Sequence, residues 1–88
     1  LLILLENYLK KKIHVDFFDP NVKILKSRKL KKTYRSKNIN FKILKKYSCV
    51  IILANHSNIN YNLINKYSNL IIDTRNVYKN EKDKIIKL

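Results

Sequence analysis

The runs Ser48-Cys49-Val50-Ile51-Ile52-Leu53-Ala54-Asn55-His56-Ser57 and Asn69-Leu70-Ile71-Ile72-Asp73-Thr74-Arg75-Asn76 decide the fold of this chain. Each is a short stretch of Val, Ile and Leu without polar alternation, the pattern of a parallel strand buried on both faces. Between them Ile59, Leu63, Ile64 and Tyr67 recur at helical spacing. Strand, helix and strand in so short a span make a βαβ unit. Sheets of this kind hold ligands beyond the carboxyl ends of their strands. Asn55-His56-Ser57 and Asp73-Thr74-Arg75-Asn76 fall there.

Upstream, Leu1, Leu2, Leu4, Leu5, Tyr8 and Leu9 form a helix-compatible stripe, and Lys10, Lys11 and Lys12 suit a helix C-terminus. Ile13-His14-Val15-Asp16-Phe17-Phe18-Asp19 then reads as a strand, ended by Pro20, which has no N–H for a ladder. A basic connection over 21–38 leads to a short helix around Phe41 to Tyr47, and 79–88 reads as a tail. The expectation is an α/β, three-layer Rossmann-like domain with a small parallel sheet. Its N-terminal strand is expected to lie ahead of Leu1.

These segments also carry a family resemblance. VDFFDPNV, LKKYSCVIILANHSNINYNLI and LIIDTRNVY, in this order over residues 5–78, resemble the C-terminal domain of the UDP-glucose and GDP-mannose dehydrogenases. The DTRN ending and the INYNLI segment are most similar to the branch that oxidises UDP-N-acetylhexosamines. The resemblance implies a UDP-sugar-binding domain of an NAD-dependent enzyme that converts the sugar C6 alcohol to a carboxylate for polysaccharide precursors. It implies a homo-oligomer, with the catalytic cysteine and the NAD site in the rest of the dehydrogenase chain; a cytoplasmic location is the default expectation for a sequence with no membrane-length apolar stretch. Where the family has an aspartate before His-Ser this chain has Asn55, which removes a negative charge from that loop. The chain therefore reads as the tail of a longer enzyme or a truncated product of one, not catalytic alone.

Composition narrows the chemistry. There are 0 Gly, where average usage gives about six in a domain of this size. Without glycine no backbone loop of the GxGxxG type can approach a pyrophosphate closely, so no NAD is expected on this segment. One cysteine excludes an intrachain disulfide, and no apolar stretch approaches the length that spans a bilayer. The formal charge is +14, with eight Lys or Arg between Lys23 and Lys37. Such a run could meet nucleic acid through counterion release. Yet lysine is spread over nearly the whole chain beside abundant Asn, Ile and Tyr, as AT-rich codons alone would produce. Tyr34 is the run's single aromatic, so a stacking platform is lacking. A solvated basic loop is the preferred reading. A small basic module for nucleic acid or an acidic partner, and a non-functional gene fragment, stand as alternatives.

Among individual residues, Arg75 follows a strand at its carboxyl end. Its guanidinium can fork onto phosphate or ribose oxygens, or it can cap a helix or pair with an aspartate. Asn76 can donate an amide hydrogen bond or serve as a turn residue. His56 has a side chain suited to proton transfer. With no acid or nucleophile near it in sequence, loop ordering is favoured over catalysis. The candidate nucleotide-sugar contacts are Arg75, Asn76 and His56, with no catalytic, cofactor-binding or metal residue. Ser57 reads as the N-cap of the following helix. Asp19 and Asp73 read as turn carboxylates, Cys49 as an inert core thiol, and His14 as a partly buried packing residue.

Overall fold

The computed structural model describes residues 1–8, 12–29, 31–79 and 83–88. Its elements are β1 (Leu2–Tyr8), β2 (Lys12–Phe18), β3 (Ile24–Ser27), β4 (Lys32–Arg35), α1 (Phe41–Lys46), β5 (Cys49–Ile52), α2 (Tyr61–Tyr67), β6 (Ile71–Asp73) and β7 (Ile85–Lys87). The main sheet has the order β2-β1-β5-β6-β7, and β3 and β4 form a separate hairpin. The βαβ unit is present as expected: β5 and β6 pair in parallel, with α2 between them in sequence. The domain is α/β with a mixed five-stranded sheet, consistent with a Rossmann-like fold.

Three expected elements differ. The helix expected over Leu1–Lys12 is instead the strand β1, antiparallel to both β2 and β5. Its proposed C-terminal lysines, Lys10 and Lys11, lie outside the described residues. The apolar run fits either structure, since Leu2 and Leu4 alternate as well as they stack. The partner decides: Leu2 sits opposite Ile52 and Leu4 opposite Val50, which gives β5 a neighbour on its open side. The basic connection is the β3–β4 hairpin, in which Ile24 pairs with Arg35 and Ser27 with Lys32. The tail contributes β7, parallel to β6.

The register sets which residues share a face. Phe18, Leu2, Ile52, Asp73 and Lys87 form one row across the sheet, and Asp16, Leu4, Val50, Ile71 and Ile85 lie on the same face one step back. Leu2, Leu4, Val50, Ile52, Ile71 and Ile85 are buried there, together with Leu44 of α1 and Ile64 of α2. Burial of such side chains contributes about 1.5–3 kcal/mol each. Both helices thus cover this face. The opposite face holds Ile13, Val15 and Ile86, all exposed, and no helix among the described residues lies over it.

Candidate functional site

Because β1 runs opposite to both of its neighbours, β2, β5, β6 and β7 all point the same way. Their carboxyl ends therefore share one edge of the sheet. Asp19 follows β2 there, Asn55 and His56 follow β5, and Thr74, Arg75 and Asn76 follow β6. These are the positions at which open α/β sheets bind ligands.

The loop after β6 is built around Asp73, whose side chain is fully buried. Its Oδ1 accepts the N–H groups of Arg75 and Val77, each at 3.1 Å, and its Oδ2 accepts that of Tyr78 at 2.9 Å. Burial pushes the Asp73 carboxyl up, but the N–H groups of Tyr78, Val77 and Arg75 outweigh it and hold the group below its ordinary value. Asp73 is a turn carboxylate, as its place in the sequence predicts. Asn76 has φ 56, the left-handed region that asparagine enters more readily than most residues. Thr74 ties the same loop to β5 by donating its hydroxyl to the Ile52 carbonyl at 2.6 Å. Arg75, fixed by its backbone, exposes its side chain and makes no ion pair among the described residues. The Asp-paired reading of that guanidinium is therefore not what the structure has.

The loop after β5 is fastened by Tyr61. The N–H of His56 donates to the Tyr61 hydroxyl at 2.9 Å, and that hydroxyl reaches the Ala54 carbonyl at 3.4 Å. Tyr78 in turn donates its hydroxyl to the Tyr61 carbonyl at 2.7 Å, with the two rings edge-on at 6.3 Å. The two carboxyl-end loops are thereby joined through a tyrosine pair. Sequence reading missed both tyrosines. Their spacing from the strand ends was the available signal, but it is shared by ordinary core aromatics.

His56 Nε2 is buried without a hydrogen-bond partner and lies 3.9 Å from Asp19 Oδ2. The sequence placed no acid near His56. The fold brings Asp19 there from the end of β2, so that expectation is corrected. Asp19 also accepts the N–H groups of Asn21 and Val22 at 2.8 and 3.2 Å. The Asn21 N–H chiefly lowers its carboxyl below the ordinary value, against the opposing effect of burial.

Other expectations sort plainly. The N-cap of α2 is Asn60, whose Oδ1 accepts the Leu63 N–H at 3.1 Å, and not Ser57, which lies in the turn before it. Cys49 is a free, buried thiol whose pKa burial raises. His14 is exposed rather than partly buried. It donates to Asp16 Oδ2 at 2.8 Å and stacks on Tyr47, whose hydroxyl also donates to Asp16. No group of three or more His, Cys, Asp or Glu that could hold a metal occurs among the described residues. No helix among them is long and apolar enough to cross a membrane.

The turn after β5 is not built as a glycine-rich dinucleotide cradle. The turn after β5 has no glycine, and two of its N–H groups are already used, that of His56 on Tyr61 and that of Ile59 on the His56 carbonyl at 3.4 Å. What the edge offers is an exposed guanidinium, amides and a half-buried imidazole, a set suited to phosphate, ribose or base oxygens.

Comparison with curated proteins and with solved structures gives no match. Residues 2–80 match the UDP-glucose/GDP-mannose dehydrogenase family, UDP binding domain, and with nearly its whole length covered this chain belongs to that dehydrogenase-associated family.

Proposed function

We propose that this chain is the UDP-sugar-gripping part of an NAD-dependent nucleotide-sugar 6-dehydrogenase, and that Arg75, Asn76 and His56 contact the nucleotide sugar. What supports the reading is the convergence of the Asp19–His56 and Asp73–Arg75 loops on one carboxyl edge, in a chain that matches a UDP-binding domain. Arg75 supplies charge to phosphate or ribose oxygens, Asn76 an amide, and His56 an imidazole N–H or lone pair. The hydride chemistry and its NAD belong to other parts of the enzyme. This domain contributes binding and orientation, which lower a barrier by holding the reacting carbon in place. The DTRN and INYNLI segments favour a UDP-N-acetylhexosamine as substrate, oxidised to a uronic acid for polysaccharide synthesis by a cytoplasmic homo-oligomer.

Calorimetric titration of the chain with UDP tests the binding role. Saturable binding that weakens in Arg75→Ala supports it, and absence of UDP binding at millimolar concentration removes it.

A further inference from the structure

β2 is an edge strand of the main sheet, and its outer side faces a second open edge. The Leu1 and Leu5 carbonyls accept the N–H groups of Leu53 and Ser48, so the odd positions of β1 face β5 and its even positions face β2. Odd positions of β2 lie opposite odd positions of β1. Ile13, Val15 and Phe17 therefore turn their N–H and C=O groups away from β1. On the hairpin, the Ser36 N–H donates to the Lys23 carbonyl at 2.8 Å, so Thr33 and Arg35 turn their backbone groups away from β3. Among the described residues one backbone bond joins the two edges, from the Lys37 N–H to the Phe17 carbonyl at 2.9 Å. Ahead of it a groove of about 550 Å³ lies between residues 13–16 of β2 and the length of β4, with Lys37 also on its wall.

Natural sheets protect an exposed edge with lysine, proline or a bulge. Between Ile13 and Phe17 there is no Lys or Pro, and the register with β1 runs unbroken. Ile13 and Val15 are instead exposed there. Such an edge invites a further strand, and the facing wall selects its charge. Lys32, Arg35 and Lys37 are exposed and make no ion pair among the described residues. The groove's one carboxylate, Asp16, already accepts from His14 and Tyr47. A second copy of this chain, with its formal charge of +14, would be repelled.

We propose that the groove between β2 and β4 takes up an extended acidic peptide segment of a partner protein, which adds to β2 as a strand. Main-chain hydrogen bonds to Ile13 and Val15 supply affinity, and carboxylates meeting Lys32, Arg35 and Lys37 supply selectivity. The groove runs along the side of the sheet, not its carboxyl edge, so the proposal does not depend on the nucleotide reading. It also gives the basic hairpin a use that solvation alone does not.

The test is fluorescence anisotropy of a short labelled peptide of alternating Glu and Val, at about 0.15 M salt to screen long-range attraction. A second peptide of the same sequence is N-methylated along its backbone, which keeps every charge and removes the N–H groups that pair with a strand. Val15→Pro removes an outward N–H that β1 does not use. Lys32→Ala/Arg35→Ala removes two cations of the groove, and Lys42→Ala/Lys66→Ala removes the same charge from exposed helix positions. The unmodified peptide is expected to bind the wild type, to bind Lys32→Ala/Arg35→Ala about tenfold or more weakly, and to bind the helix control unchanged. The N-methylated peptide and Val15→Pro are each expected to abolish binding, and the peptide comparison holds whether or not the proline variant folds. Equal binding of the two peptides, or equal losses in the two double variants, would mean general attraction to a cationic chain and overturn the proposal. Unchanged binding in a folded Val15→Pro would overturn strand addition. Displacement of the peptide by an oligothymidylate at lower concentration than by unlabelled peptide would assign the groove to nucleic acid and overturn it as well. So would no binding of the unmodified peptide to the wild type at millimolar concentration.

Discussion

The backbone N–H of Tyr78 donates to the buried carboxylate of Asp73 at 2.9 Å, while the Tyr78 hydroxyl donates to Tyr61 at 2.7 Å. One residue therefore closes the loop that carries Arg75 and pins that loop to α2. The loop's N–H groups converge on a single carboxylate, so the backbone of Arg75 is set before any ligand arrives. Pre-set geometry of this kind lowers the ordering cost of binding.

Asp73→Ala should destabilise the fold by about 2–4 kcal/mol, because it strands three N–H groups and leaves a void in a buried position. Asp73→Asn should cost less, since one side-chain oxygen can still accept. Urea unfolding followed by circular dichroism reads both. An Ala variant as stable as the wild type would mean that water replaces the carboxylate and that the loop is not organised by it.

Acid should destabilise this fold more steeply than simple charge repulsion predicts. Asp16, Asp19 and Asp73 all titrate below the ordinary 3.8 in the folded state. At Asp16 burial pushes upward, and the Tyr47 and His14 hydrogen bonds prevail against it. A depressed folded pKa means that the unfolded chain takes up protons first as pH falls. The stabilisation is thus complete well above 3.8 and is lost as pH drops through the folded values. Thermal midpoints at about pH 7 and about pH 3 should differ markedly, and Asp73→Asn should remove part of the difference. Equal midpoints would contradict the carboxylate geometry.

Arg75→Ala should separate function from stability. The side chain is exposed and unpaired among the described residues, so its removal should shift stability by no more than about 0.5 kcal/mol. Its loss should weaken UDP-sugar binding by about 1.5–3 kcal/mol, the scale of a charge-assisted hydrogen bond. Calorimetry and a urea melt on the same sample test both halves. A large stability loss with unchanged affinity would make Arg75 structural.

The parts of this fold legible in sequence are those whose physics is local. Val50 to Ile52 and Leu70 to Ile72 announce buried strands by composition, and Asp73 announces its turn because its partners lie within five residues of it. What escaped depends on partners distant in the chain. Leu1 to Leu5 carries a run that short-range periodicity cannot assign, and only pairing with Val50 and Ile52 makes it a strand. The Asp19–His56 approach joins the ends of β2 and β5, which no local pattern connects. The β3–β4 hairpin was hidden by its charge: Lys26, Arg28, Lys29, Lys31, Lys32 and Arg35 obscure the alternation that marks a ribbon, and Lys31 supplies the positive φ of its turn where glycine is the usual signal. At α2, Ser57 and Asn60 are both chemically fit to cap, and the start of the helix selects Asn60.

The β1 assignment is open to a direct covalent test, because Leu5 lies opposite Cys49 in the antiparallel register. Directly opposed residues of neighbouring strands have Cα atoms roughly 5 Å apart, within the range a disulfide bridges. Leu5→Cys should therefore form an intrachain disulfide with Cys49 on oxidation with diamide. Leu4→Cys should not, since Leu4 lies opposite Val50 and so on the other face of the sheet from Cys49. Burial raises the Cys49 thiol pKa, so oxidation should be slow but should go to completion for the register pair. Non-reducing mass spectrometry of a digest reads the cross-link. Equal yields from both variants would mean that Leu1–Tyr8 does not hold a fixed strand register, and a helix over this segment would then be the better description.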